Sequence, residues 1–365
     1  YFHRMLEKDE RGAFPHPLLE QLRWTTRTQC GIEHARVMCP VCQIAPPAAV
    51  RETTVVRGTV TATRIFRTPG VILYATVQPA PTAASGDGEL RWLAHESDAF
   101  QREDRSIVLR GPLDPQLRYR IQGTTTFFLK DGQAVALAPG AEPVSRVVDA
   151  VGSRATFDAN ASHAYWAESG RLVRDGTIGH ERIGDVLREQ TLLWMGPTFG
   201  FGLYRAGNLS VAFVFDAERR GINDAVALPP IRGQLVDAAA AFSADRCWFF
   251  TATQDRGKTI HHATVIRSDG SIEATTAGLP GGASAESGDG SWLGTIRGKA
   301  AAGHFLLAST DDGVVRIEPD GSGGLAVTKS FPDTEPFVDA GSALHIGTRG
   351  LYVVSKREIH VLNIR

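Results

Sequence analysis

Phe127-Phe128-Leu129-Lys130-Asp131-Gly132-Gln133-Ala134-Val135-Ala136-Leu137 decides how this chain is read. Two apolar, β-prone runs flank an Asp-Gly pair, which suits the positive φ angles of a tight hairpin turn. The same unit, an apolar run, a turn with glycine and a second β-rich run, recurs six more times. Its copies are Arg64–Phe66 around Gly70, Ala164–Trp166 around Gly170 and Gly202–Tyr204 around Gly207. Trp248–Phe250 around Gly257, Phe305–Leu307 around Gly313 and Leu344–Ile346 around Gly350 complete the set. The turn glycines are 62, 38, 37, 50, 56 and 37 residues apart. The shorter gaps suit a four-stranded blade of about 40–50 residues. The longer ones imply loop insertions, among them the small-residue stretch Gly278–Gly290.

A sheet of this kind has two apolar faces and open edges. Packing sheets face to face in a ring buries both faces, and closing the ring protects the edges. The expected fold is therefore all-β, a seven-bladed β-propeller over residues 51–365. Six or eight blades, or a β-sandwich pair, are the alternatives; a sandwich would not call for a repeated unit. Glu358–Ile364 is a strand with nothing after it, and Thr53–Arg57 precedes the first hairpin without a partner. These two are expected to pair and close the ring.

Residues 1–50 read differently. Pro15 and Pro17 precede Leu18, Leu19, Leu22 and Trp24, the pattern of a short amphipathic helix with proline near its start. Ala45-Pro46-Pro47-Ala48-Ala49 reads as a linker. Between them lies Cys30-x3-His34-x4-Cys39-x2-Cys42. Zinc takes four sulfur or nitrogen ligands in a tetrahedron, and Cys39-Pro40-Val41-Cys42 is a tight knuckle that can turn two thiolates toward one ion. A structural zinc site at Cys30, His34, Cys39 and Cys42 is expected, with the metal supplying most of the module's folding energy. A redox dithiol at Cys39 and Cys42, or free thiols beside a surface histidine, are the lesser alternatives. The ligand order differs from the usual Cys-Cys-His-Cys knuckle, so a nucleic-acid role does not follow from it.

Charge points the same way. The chain has 365 residues, 39 basic and 40 acidic, for a net charge of −1. Nucleic-acid binders usually show a basic excess, and residues 1–50 hold six basic against five acidic side chains. No apolar run is long enough to span a bilayer, and no signal-type core stands near the start. The expected location is the cytoplasm. The first residue is Tyr1, which suggests a processed chain or a piece of a longer one.

Catalytic motifs are not evident. Gly257-Lys258-Thr259 has the tail of a phosphate loop, but Ala252 stands where the loop needs glycine. There is no His-Glu-x-x-His and no Gly-x-Ser-x-Gly. Cys247 reads as blade core. His261 and His262 are strand neighbours that face opposite ways and cannot chelate one ion. Asp311-Asp312-Gly313 and Asp131-Gly132 read as hairpin turns. Loop carboxylates leave open a hydrolase or lyase acting at the central channel.

One segment stands apart: Phe215-Asp216-Ala217-Glu218-Arg219-Arg220-Gly221-Ile222-Asn223-Asp224. It is long and charged for a turn. Paired arginines suit carboxylate or phosphate recognition, so Arg219, Arg220 and Asp224 are candidate partner contacts. Local pairing of the arginines with Asp216, Glu218 or Asp224 is the plainer reading. The aromatic cluster before it, Trp194, Phe199, Phe201 and Tyr204, reads as blade core.

Over residues 53–365 the repeat resembles bacterial β-propellers akin to WD-repeat proteins. The likeness is architectural, since the Trp-Asp dipeptide of WD repeats does not occur. The Cys-rich module ahead of a propeller, with Leu209–Asp224, is similar to propeller subunits of bacterial systems that combine a MoxR-type AAA+ ATPase with a von Willebrand A protein. That resemblance implies an interaction subunit without catalytic residues, and an AAA+ ATPase or von Willebrand A protein as partner. The function expected is a non-enzymatic scaffold.

Overall fold

In Trp248-Phe249-Phe250, neighbouring side chains point to opposite faces of a strand, and both faces are buried. Trp248 and Phe250 pack with Leu306 and Ala308 of the following sheet. Phe249, with Cys247, packs against Trp194 and Phe201 of the preceding one. This two-sided burial is what the recurrent apolar runs encode.

The computed structural model of the protein describes residues 25–26, 33–34, 53–79, 88–176, 178–206, 209–278 and 290–364. Tyr1–Arg51 and Glu52–Arg365 are separate compact units. The second is a seven-bladed β-propeller. Blade 1 is Val71–Pro79, Gly88–Glu96, Ala99–Arg102 and Ile107–Arg110; blade 2 runs from Arg118–Gln122 to Val144–Val147. Blade 3 runs from Phe157–Ala159 to Gly179–Asp185, and blade 4 from Thr191–Met195 to Asn223–Val226. Blade 5 runs from Gln234–Phe242 to Ile272–Gly278, and blade 6 from Ala300–Ala302 to Leu325–Phe331. Each is an antiparallel sheet of four strands taken in chain order. The first strand of each blade is innermost. These inner strands touch in ring order, and that of blade 7 touches that of blade 1.

Seven hydrophobic clusters fill the seven interfaces between neighbouring blades. Burying an aromatic or aliphatic side chain stabilises by roughly 1.5–3 kcal/mol, so the faces, not the turns, hold the ring together. Local fit follows the same logic. Gly200 and Gly202 in the second strand of blade 4 lie under the rings of Phe215 and Phe213; a Cβ at either would come within 2.1 Å of a ring carbon.

Ring closure differs in detail from the expectation. Blade 7 comprises Ala343–Gly347, Gly350–Val354 and Glu358–Ile364 from the chain's end, then Val60–Arg67 and Thr53–Arg57 from the other end. Glu358–Ile364 therefore pairs with Val60–Arg67, aligning Leu362 with Ala62 and Ile359 with Phe66. Thr53–Arg57 pairs with the far side of Val60–Arg67 as a fifth, outermost strand. The two ends share one sheet without touching as partners.

The expected hairpin around Gly70 is also not one. Thr68-Pro69-Gly70 crosses from blade 7 into blade 1. Gly70 is required because a Cβ there would lie 2.0 Å from the His95 carbonyl oxygen. The true central hairpin of blade 1 turns at Ser97-Asp98, both in the left-handed region at φ 50° and 55°. That turn contains no glycine, so a search for turn glycines passes over it. The apparent gap of 62 residues before Gly132 is therefore not a loop insertion.

In the first unit, Thr25–Thr26 pairs with Glu33–His34 in a short antiparallel ladder. The helix expected after Pro15 and Pro17, and the linker at 45–49, lie outside the described residues. So does the loop expected within Gly278–Gly290, from residue 279 to residue 289.

Candidate functional site

The inner strands enclose a central channel with a cavity of about 1180 Å³. Its breadth comes partly from small side chains: Ala239, Ala240 and Ala241 on the inner strand of blade 5 and Ala300 and Ala301 on that of blade 6. Its lining is basic. Arg118, Arg120, Arg154, Arg297, Lys299 and Lys356 face only two carboxylates, Asp114 and Asp158. The chain as a whole carries −1, so positive charge is concentrated here.

Both acids are occupied. Asp158 accepts from Arg120 Nε at 2.5 Å, from Ala159 N at 2.9 Å and from Met195 N at 2.8 Å. Asp114 accepts from Lys130 Nζ at 2.7 Å and Gln116 N at 2.8 Å. Burial works against the Arg120 charge, but the Asp158 carboxylate outweighs it and holds the proton more firmly than usual. The Arg120 guanidinium also lies over the Tyr74 ring, 5.4 Å from its centroid, and burial raises the Tyr74 hydroxyl.

Of the six cations, Arg118, Arg154, Lys299 and Lys356 have no carboxylate within ion-pair distance among the described residues; Arg118 and Lys356 are exposed, Arg154 and Lys299 are not. Arg154 comes from a short hairpin, Ala150–Val151 with Arg154–Ala155, between blades 2 and 3. Its guanidinium lies over Trp194 at 4.8 Å and donates to Ala238 O at 3.2 Å. Burial first, then the nearby charges of Arg120 and Arg297, push it down to about 10. Lys299 is 8% exposed. Its ammonium makes one long hydrogen bond, 3.4 Å to Thr295 Oγ1, and lies 5.6 Å from the Phe250 ring centroid. Burial pushes it down to about 7. His345 stands on the channel wall, where burial strips water from its cation and lowers it to about 4. Arg297, by contrast, is fully engaged, with a two-pronged contact to Asp237 at 2.8 and 2.5 Å.

The charged segment of blade 4 is the connection from its third strand, Leu209–Asp216, to its fourth, Asn223–Val226. It does not stand free as a hairpin tip; it leans on blade 3. Asp216 Oδ1 accepts from the backbone N–H groups of Glu218 and Arg219 at 2.8 and 2.9 Å. Gly221 N donates to Ile183 O at 3.0 Å, and Ile222 packs over Gly184. Arg174, nine-tenths buried, reaches from blade 3 to the carbonyls of Ala217 and Glu218 while holding Glu181 at 2.7 Å. Arg219, Arg220 and Asp224 are all exposed. Arg220 has Glu181 at 3.9 Å, across the blade boundary. Asp216 serves as a backbone cap. Arg174 was invisible in the sequence because its partners are 43 and 44 residues away.

The other candidates separate cleanly. Cys247 is fully buried between blades 4 and 5. His261 is buried and its Nδ1 sits 2.7 Å from Leu293 O. Trp194, Phe199 and Phe201 belong to the same core cluster as Cys247, although Trp194 also lines the channel. Asp131 and Gly132 have φ of 47° and 72°, a turn as read. Of the four expected zinc ligands, Cys30, Cys39 and Cys42 lie outside the described residues. His34 is placed only as a strand residue opposite Thr25. Among the described residues no group of three His, Cys, Asp or Glu side chains could hold a metal, and no helix is long and apolar enough to cross a membrane.

No protein-family model matches the chain, and no curated protein matches it. Several solved structures are similar at a low level. Kluyvelomyces marxianus Hsv2 is similar at 11% identity and a TM-score of 0.45, over 81% of this chain and 97% of that one. The N-terminal domain of Nup159 is similar at 11% identity and a TM-score of 0.35, over 85% and 86%. A Mycobacterium tuberculosis puromycin-hydrolyzing peptidase is similar at 10% identity and a TM-score of 0.38, over 84% of this chain and 59% of that one. Likeness at this level carries no functional argument. The class the structure defines is the seven-bladed β-propeller with a basic central channel.

Proposed function

We propose that this protein is a non-enzymatic interaction scaffold, a subunit of a larger bacterial assembly in the cytoplasm. The observation that carries the reading is on the rim. Val55 and Val56, Ile107 and Leu109, and Val144 and Val147 are exposed on the outermost strands of blades 7, 1 and 2. These blades are consecutive. The outermost strands of blades 3 to 6 carry no exposed large apolar side chain among the described residues. An apolar stretch confined to adjoining open edges marks a protein contact. The rival, a hydrolase at the channel, needs free carboxylates, and the two acids lining the channel already accept hydrogen bonds from neighbours. Arg219, Arg220 and Asp224, on a segment braced from below, form a second contact suited to an acidic partner. An AAA+ ATPase or a von Willebrand A protein is the partner that the resemblance suggests.

The test is quantitative co-purification from the native source. Val56→Lys/Val147→Lys places charge on the rim at sites 70% and 75% exposed, where substitutions rarely change stability by more than about 0.5 kcal/mol. A specific partner should be recovered at least tenfold less with this variant, and less with Arg219→Ala/Arg220→Ala, both at unchanged melting temperature. Undiminished recovery with both would remove the scaffold reading.

Zinc at Cys30, His34, Cys39 and Cys42 is part of the same proposal, as a structural metal. Metal analysis should give about one equivalent per chain. Cys39→Ser/Cys42→Ser should lose it while the propeller, a separate compact unit, melts as before. Equal zinc in the two proteins would refute the site.

A further inference from the structure

Beside the channel, between the inner strands of blades 5 and 6, lies a recess of about 150 Å³. Ala239, Ala240 and Ala241 form one wall, Phe250 and Ile296 the back, and Arg297, Gly298 and Lys299 complete it, Arg297 being already held by Asp237. The alanines and Lys299 also line the channel, so the recess opens into it. Lys299 is the one polar side chain in Gly298-Lys299-Ala300-Ala301-Ala302. We propose that this recess is a binding site for a small anion bearing a carboxylate or phosphate group, with Lys299 as its counter-charge.

Four observations support it. Lys299 is more than nine-tenths buried, and its only polar contact among the described residues is the 3.4 Å bond to Thr295. Burying an ammonium without a partner is costly, and an apolar side chain would serve the packing better. The surrounding channel is basic, so it draws anions and repels cations. Arg154, in the adjoining channel and outside the recess itself, adds a further cation, bonded at 3.2 Å to the carbonyl of Ala238, next to Ala239 in the wall. The volume sets the ligand's size: about 150 Å³ is room for roughly six heavy atoms. Phe250 and the alanine methyls would meet its apolar part. An anion favours the protonated amine, whereas burial alone lowers it to about 7. Binding above that pH must therefore draw in a proton. The site is independent of whatever the rim binds.

Calorimetric titration of the whole protein tests this with sodium phosphate and sodium propionate as separate probes. The runs are made at pH 8 in two buffers of different ionisation heat. Saturable binding of at least one probe is expected, with uptake approaching one proton and affinity falling up to about tenfold per pH unit above 8. Which probe binds tells phosphate from carboxylate. Lys299→Met should abolish both binding and proton uptake, and Arg154→Met should weaken binding about tenfold. Should Lys299→Met fail to fold, Ala239→Leu, which fills the recess and leaves the charge, should block binding instead. Absence of binding by both probes, or binding with the same proton uptake in Lys299→Met, would overturn the proposal.

Discussion

A chain lacking Glu358–Arg365 is expected to lose its cooperative fold. Glu358–Ile364 is not a terminal appendage but the third strand of blade 7. It pairs with Gly350–Val354 on one side and Val60–Arg67 on the other. Ile359, Val361 and Leu362 are at most 2% exposed. Leu362 belongs to the interface with blade 6, and Ile359 and Val361 to that with blade 1. At roughly 1.5–3 kcal/mol each, these three side chains alone approach the whole stability of a typical domain, about 5–15 kcal/mol. Their loss also frees Val60–Arg67 from the ring and leaves two blade faces open to other chains. Aggregation, or a melting transition that is broad or absent, is the outcome to look for by size exclusion and calorimetry. Thr53–Arg57 supplies the contrast. It is an edge strand with Val55 and Val56 exposed. Counted from the Arg57–Val60 turn pair, the Val56 N–H points outward while that of Val55 bonds into the ladder, so proline at Val56 should cost little. Equal damage from the two changes would mean that closure does not run through Glu358–Ile364.

That contrast marks how far the sequence could be read. In blades 2 to 6 the middle hairpin was legible because it repeats a local pattern: Phe127–Leu137 and Trp248–Val265 show their two buried faces in the sequence itself. The count of seven was completed by Gly350, in the first hairpin of blade 7, and by Gly70, which is a blade crossing and stood in for the glycine-free turn at Ser97-Asp98. Which strands meet at the closure was not. Val60–Arg67 and Val71–Pro79 are separated by three residues, and nothing local says that a blade boundary falls at Thr68-Pro69-Gly70. A glycine needed for close approach to the His95 carbonyl looks the same in sequence as one needed for a turn. The channel was less legible still. Lys299 sits in a run of alanines that reads as featureless, and Arg154 in a two-residue strand. Their significance comes from the fold bringing two segments, more than 140 residues apart in the chain, to one channel. The charged segment at Arg219 and Arg220 was visible, but not the buried Arg174 that shapes it from the neighbouring blade.

Lys299→Met should stabilise the protein at acidic and neutral pH, and progressively less as the pH rises. The amine is lowered from 10.5 to about 7 in the folded chain. Between those values the unfolded chain holds a proton that the folded chain lacks, so stability rises with pH across that window. Below pH 7 both states are protonated and the native state carries the whole penalty of a buried ammonium. Above 10.5 neither is charged and the penalty is gone. The full shift corresponds to on the order of 5 kcal/mol, the side chain being only 8% exposed. Methionine has a similar length and flexibility and needs no hydration, so it keeps the packing against Phe250 and discards the charge. His345, lowered to about 4 by burial, also penalises the native state when the pH falls below its usual value, but it does so equally in both proteins. The difference between variant and wild type therefore isolates Lys299. Denaturant melts at pH 6, 7.5 and 9 should show the variant several kcal/mol more stable at the first, with the gap narrowing at each step. A gap independent of pH would mean that Lys299 keeps its ordinary affinity for the proton, and that something in the channel already shields its charge.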